Sequence, residues 1–229
     1  MLFASLREKL ELSNIDSKSV YTTNLTSNTE YSLLANNSYK MYIEAQNEAK
    51  STILTGSNTL IDYPIVGQHI NGVQRGVCWA AAVASMIRFE KPDIFFNLTA
   101  QNVADHMGIG YDDGATVYES RRALDDYLGS PYDPTVRILP LTTEQIKMAI
   151  DNVDPAYMSC SASTGFLQSV GHAAVMVGYN FTDTSTSIII MDPGYEIFKP
   201  CNLGTNGKWT FAFGNLTFTW KQTVRLLYD

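Results

Sequence analysis

The apolar and polar positions divide the chain into three textures. Residues 1 to about 60 are rich in Ser, Thr and Asn, with apolar positions at helical spacing near 2–12 (Leu2, Phe3, Leu6, Leu10) and 38–50 (Met41, Ile43, Ala45, Ala49). From residue 78 to about 152 the pattern predicts four helices. The first runs from Cys78 to Phe89 or Glu90, because residue 91 precedes Pro92 and is biased away from helical angles. The second covers 101–107, capped by Thr99 and stopped by Gly108; the third covers Val117 to Leu128, stopped by Gly129. The fourth opens on Thr142 with Gln145 in a capping-box pattern and ends near Asn152. From there the period changes to that of strands, predicted at about 156–161, 172–179, 187–192, 195–199, 208–213 and 216–228. Turn residues separate them, Pro193-Gly194 and Gly214-Asn215 among others. Helices first and strands afterwards predict an α+β fold rather than a parallel βαβ one. The domain expectation is an arm over residues 1–60 and a main domain over 61–229, entered through Asp62-Tyr63-Pro64 and Gly67.

Composition narrows the partners. Hydrophobic residues make up 45% of the chain, enough for a proper core. Charged residues are 17%, below the roughly 25% of average domains, and the net charge is −7. That sign argues against nucleic acid or an anionic membrane as the main partner. No apolar run is long enough to span a bilayer. The first twelve residues carry Arg7, Glu8, Lys9 and Glu11, so they lack the uninterrupted apolar centre of a secretory signal. Two readings of the compartment stay open: a cytoplasmic chain, or a secreted one whose signal has been removed.

Three cysteines, Cys78, Cys160 and Cys201, make no disulfide framework, although a Cys160–Cys201 bridge stays open. Their spacing to each other and to histidine does not suggest zinc, and no metal or cofactor is expected. The loop Gly108-Ile109-Gly110-Tyr111-Asp112-Asp113-Gly114 lacks the Lys-Ser/Thr of a phosphate cradle and places two carboxylates where phosphate would sit. A cleft-rim or surface loop fits it better.

Candidate chemistry gathers at three places. Cys78 follows a loop punctuated by Gly72 and Gly76 and begins the Ala-rich run 80–84, so its thiol falls at a helix N-terminus. Unpaired N–H groups and about half a positive charge there favour thiolate, the nucleophilic form. His172 heads the apolar strand 173–179; strand alternation does not settle which face its ring takes. Asp192 ends the run Ile188-Ile189-Ile190-Met191 and starts Asp-Pro-Gly, which is also good turn chemistry. Taken singly, each has a plain structural reading. A Cys at a helix start, a His at a strand start and an Asp ending the next strand form the order of nucleophile, base and base-orienter.

Cys78-Trp79-Ala80, His172-Ala173 through Gly178-Tyr179, and Asp192-Pro193-Gly194 resemble the papain-like cysteine peptidase superfamily. The resemblance covers about Pro64 to Asp229 and is closer to compact bacterial branches: streptopain-like, staphopain-like and bacteriocin-leader-processing peptidases. Asp154 to Met158 resembles the strand lining the cleft in those branches. The resemblance implies a papain-like fold, with the Cys78 helix packed on a C-terminal antiparallel sheet or barrel. It also implies a Cys78-His172-Asp192 triad that hydrolyses peptide bonds through a thioester, and a peptide or protein substrate; residues 1–60, outside the resemblance, are read as an intramolecular pro-segment of a zymogen or an accessory arm, the plain alternative being that they belong to the edge of the fold. Gln74 is the implied oxyanion-hole side chain, although papain has two more residues between its Gln and its Cys; Gln68 is the more distant candidate. Two other expectations from the same residues are a papain-like acyltransferase or leader-processing enzyme, and a catalytically silent papain-like binding module.

Overall fold

The run that begins at Cys78 becomes the central helix α1 (Cys78–Glu90), with every side chain from Trp79 to Ile87 buried. Ala80, Ala81, Ala82 and Ala84 keep this helix thin, so that other elements approach it closely on all sides. The computed structural model describes residues 55–165 and 168–228, within a unit that begins at Ser51. The helices expected at 2–12 and 38–50 lie outside the described residues.

Against α1 stand α2 (Pro92–Phe95), α3 (Ala100–Met107) and α4 (Val117–Leu128), while α5 (Thr143–Asp151) packs on the sheet. The last three start on reciprocal capping boxes, Thr99 with Asn102, Thr116 with Glu119 and Thr142 with Gln145. Gly108 ends α3 in the left-handed conformation, at φ 65°. The α1 N-terminus is different. Its N-cap is Val77, which has no capping oxygen, and its first turn holds no acidic residue. The first intrahelical bond runs from the Ala81 N–H to the Val77 carbonyl, so the N–H groups of residues 78–80 have no partner within the helix.

The strands are β1 (Gly56–Thr59), β2 (His69–Ile70), β3 (Val73–Gln74), β4 (Tyr132–Arg137), β5 (Ala156–Gly165), β6 (Gln168–Phe181), β7 (Thr186–Asp192), β8 (Ile197–Leu203), β9 (Trp209–Phe213) and β10 (Leu216–Tyr228). All pair antiparallel. The order β6-β5-β10-β9-β8-β7 closes on itself through β6–β7, which makes a barrel; β1 adds to β6 and β4 to β10 outside the ring. Closure relies on two long strands that change partners along their length. In β6, residues 168–176 pair with β5 and 175–181 with β7; a bulge lies between Met176 and Gly178. In β10, residues 216–219 pair with β9 and 219–225 with β5; a second bulge lies between Trp220 and Gln222. Residue 178 must be glycine, because a Cβ there would sit 2.8 Å from the Asn58 carbonyl oxygen of β1.

Gly56–Thr59 belongs to this sheet, although the sequence places it in the arm over 1–60. The α+β expectation holds, and the four predicted helices stand within a residue or two of their expected bounds. β5 and β6 run longer than expected, and the strand expected at 195–199 is shifted to 197–203 because 193–196 is used by a turn.

Candidate active site

β6 and β7 pair Val175 with Met191, so Asp192 at the end of β7 comes alongside the His172 end of β6. Residues 172–179 of β6 are buried throughout, covered on one side by α1. These packing constraints bring Cys78, His172 and Asp192 together. His172 Nε2 lies 2.9 Å from Asp192 Oδ1, both side chains being buried. With Asp192 accepting from Nε2–H, Nδ1 is the ring nitrogen left to interact with Cys78, one of the two partners that raise the His172 pKa. Phe213 stacks on the imidazole at 4.5 Å between centroids, and Phe218 and Phe211 stand at 5.4 and 6.0 Å.

The electrostatics follow from burial and partners. Burial favours the neutral imidazole, but the interactions with Asp192 and Cys78 outweigh it, and His172 is pushed up to about 9. Burial likewise pushes the Asp192 carboxyl up; His172, Lys199 and the Gly194 N–H overcome this and hold it below its ordinary value. The Gly194 N–H donates to Asp192 Oδ1 at 2.9 Å, so the Asp-Pro-Gly turn itself orients the carboxylate. Turn and orienter are thus one device. Glycine is required at 194, where a Cβ would lie 2.2 Å from the Phe213 ring. Lys199, from β8, ion-pairs with the other oxygen, Oδ2, and was not singled out by the sequence.

The other two thiols are free and differently placed. Cys160 pairs with His172 in the β5–β6 register, and burial pushes its thiol well up. Burial pushes Cys201 up to about 12. Both are therefore protonated at neutral pH, whereas Cys78 is half-buried and sits at a helix start. Among the described residues no group of three or more His, Cys, Asp or Glu could hold a metal ion.

The glutamines are separated by the small β2–β3 hairpin. Gln74 is exposed, and its side-chain amide donates to the Gly194 carbonyl at 2.8 Å. Gln68 is buried; its Nε2 donates to the Arg75 carbonyl at 2.8 Å and its Oε1 has no partner. The hairpin also straps the turn after Asp192, through the Gln68 N–H to the Pro193 carbonyl (3.3 Å) and through His69 Nδ1 to Glu196 Oε1 (3.0 Å). On its other side Arg75 Nε donates to Asp112 Oδ1 at 2.9 Å, which fixes the 108–114 loop against the segment leading to Cys78. Asp154 is part of a structural pair with Arg225, and Trp79 is a buried packing residue.

A family model described as "Peptidase_C39 like family" matches residues 60–225, and the chain belongs to that family. The match agrees with the papain-like cysteine peptidase superfamily to which the motifs point. No curated protein matches the chain. Among solved structures, it is similar to the digestive procathepsin L 3 of Tenebrio molitor larval midgut, at 15% identity and a TM-score of 0.44, over 74% of this chain and 71% of that one.

The raised His172 sets a pH dependence of stability. A histidine at about 9 when folded and about 6.5 when unfolded stabilises the fold fully below about pH 6.5, and this contribution is lost as pH rises through about 9. Urea unfolding of the wild type and of His172→Gln is therefore expected to differ by a constant amount at pH 5–6, and by less and less between pH 6.5 and 9. A difference that stays flat over that range would contradict the assignment.

Proposed function

We propose that this protein is a cysteine peptidase in which Cys78 is the nucleophile, His172 the general base and acid, and Asp192 the group that orients His172. The observation that carries this reading is the His172 imidazole paired at 2.9 Å with a carboxylate removed from water, with Cys78 at the start of α1 as its other electrostatic partner. The family supports the reaction class.

In the reactive state the proton of the Cys78 thiol rests on His172 Nδ1. The thiolate attacks the peptide carbonyl carbon; a C–S bond forms and the carbonyl oxygen takes the negative charge. When that intermediate collapses, the C–N bond breaks and His172 gives its Nδ1 proton to the leaving amine. A water then loses a proton to Nδ1 and attacks the thioester; the acid product leaves and the thiolate returns. Asp192 stays ionised and holds the ring in the tautomer that presents Nδ1 to sulfur.

The oxyanion needs fixed donors. The Cys78 backbone N–H is one, at a helix start whose N–H groups no side chain caps. For the second we assign Gln68. A side-chain amide has two N–H groups; Gln68 uses one on the Arg75 carbonyl, which leaves the other to donate. Gln74 is exposed and spends its amide on the Gly194 carbonyl, which supports a role in holding the Asp192 turn.

Residues preceding the barrel are read as a removable pro-segment. Its boundary falls before Gly56, because Gly56–Thr59 is a strand of the sheet. N-terminal sequencing of the activated protein should therefore begin between about residues 50 and 56, and a first residue beyond 59 would refute this boundary.

The function is tested by peptide hydrolysis in three variants whose folding is checked by circular dichroism. Cys78→Ala should abolish turnover. Gln68→Ala should lower kcat by about 10²–10³-fold, the usual loss for one oxyanion donor, and Gln74→Ala should lower it much less. Turnover surviving in Cys78→Ala would refute the peptidase mechanism, and equal losses at Gln68 and Gln74 would remove the Gln68 assignment.

A further inference from the structure

The lysine behind Asp192 is turned inward. Its side chain is only 13% exposed, whereas a lysine with no interior task extends its ammonium to water. Instead Nζ ion-pairs with Asp192 Oδ2 and donates to the Ala212 carbonyl at 2.7 Å. Three rings surround it, with Nζ 5.0 Å from the centroid of Tyr195, 4.8 Å from Phe211 and 5.6 Å from Phe213. Phe213 is also the ring stacked on His172, so the same aromatic wall holds both cations.

On the proposed peptidase reading, the reactive state sets a half-buried thiolate beside a buried imidazolium and a buried carboxylate, a net charge of −1. Removing such a net charge from water is costly. We infer that Lys199 is a positioning residue of the site: it completes a row of four alternating charges, Cys78, His172, Asp192 and Lys199, makes the row neutral, and fixes the carboxylate by the oxygen His172 does not use. Asp192 then has both oxygens engaged, Oδ1 by His172 and the Gly194 N–H and Oδ2 by Lys199. Lys199 also weakens the pull of Asp192 on the imidazolium proton, leaving that proton transferable to a leaving amine.

His172 is faced by Cys78 from α1, the protonated Cys160 from β5, Asp192 from β7 and, through Asp192, Lys199 from β8. Phe211, Phe213 and Phe218, from β9 and β10, add no charge. Lys199 is therefore the cation whose removal should be felt at the ring.

The test is an NMR titration of the His172 ring in the full chain, with isotope-labelled histidine. The chain has only three histidines, and His172→Gln assigns the signal. Lys199→Met should raise the His172 midpoint by about one pH unit, as expected from deleting a nearby buried cation. Lys199→Arg, which keeps the charge over the rings, should restore it. Should Lys199→Met not fold, Lys199→Gln, which keeps a donor for the Ala212 carbonyl, provides the same comparison. An unchanged or lowered midpoint in a folded neutral variant would overturn the inference, even with full peptidase activity. A raised midpoint in a protein without hydrolytic activity would uphold the electrostatic role and count against the peptidase reading alone.

Discussion

A carboxylate wholly removed from water must be paired, and in this molecule the pairing of Asp192 ties together the elements of the candidate site. Its partners come from two strands and a turn: His172 in β6, Lys199 in β8, and the Gly194 N–H just beyond its own strand β7. Breaking one partner of such a buried pair commonly costs about 3–5 kcal/mol. The aromatic wall of β9 and β10 then excludes water from His172 and packs against Gly194, where a side chain would not fit. The barrel closes through β6–β7, so the contact that completes the fold also brings His172 and Asp192 together.

The second constraint is a helix whose alanines at 80–82 and 84 occupy little space. The alanines of α1 let it lie within the core, packed against β6. The other long helices start on capping boxes, while α1 starts on Val77 and leaves its first N–H groups unspent. Stability is given up at that end, and the unpaired donors sit next to the thiol. A packed interior and an uncapped helix start thus produce one oriented, partly accessible cysteine among three.

Much of this was legible from local chemistry. Helix bounds followed from Thr99, Thr142, Gly108 and Gly129, because caps act within a few residues. The Cys and Asp motifs were legible because each sits where an element begins or ends, and His172 because it opens the buried run 172–179, although β6 itself begins at Gln168. Parts that depend on distant pairing were not. β4 contains Pro134 and survives as a strand only because it lies outside the ring, paired with β10 alone. The β2–β3 hairpin is too short for alternation to register, and it upsets any count of residues from glutamine to cysteine. Lys199 sits in a strand containing Pro200, and its meaning comes from β7–β8 pairing, which sets the lysine-bearing strand beside the one that ends in Asp192.

The central claim is that His172 activates Cys78. It is tested most directly by the rate at which iodoacetamide alkylates Cys78 as a function of pH, in the wild type and in His172→Ala. Burial keeps Cys160 and Cys201 from competing. With His172 activating Cys78, alkylation is still fast at pH 6 in the wild type and collapses in the variant. A rate that rises only toward the ordinary thiol range of about 8.5, and is the same in both proteins, would contradict it.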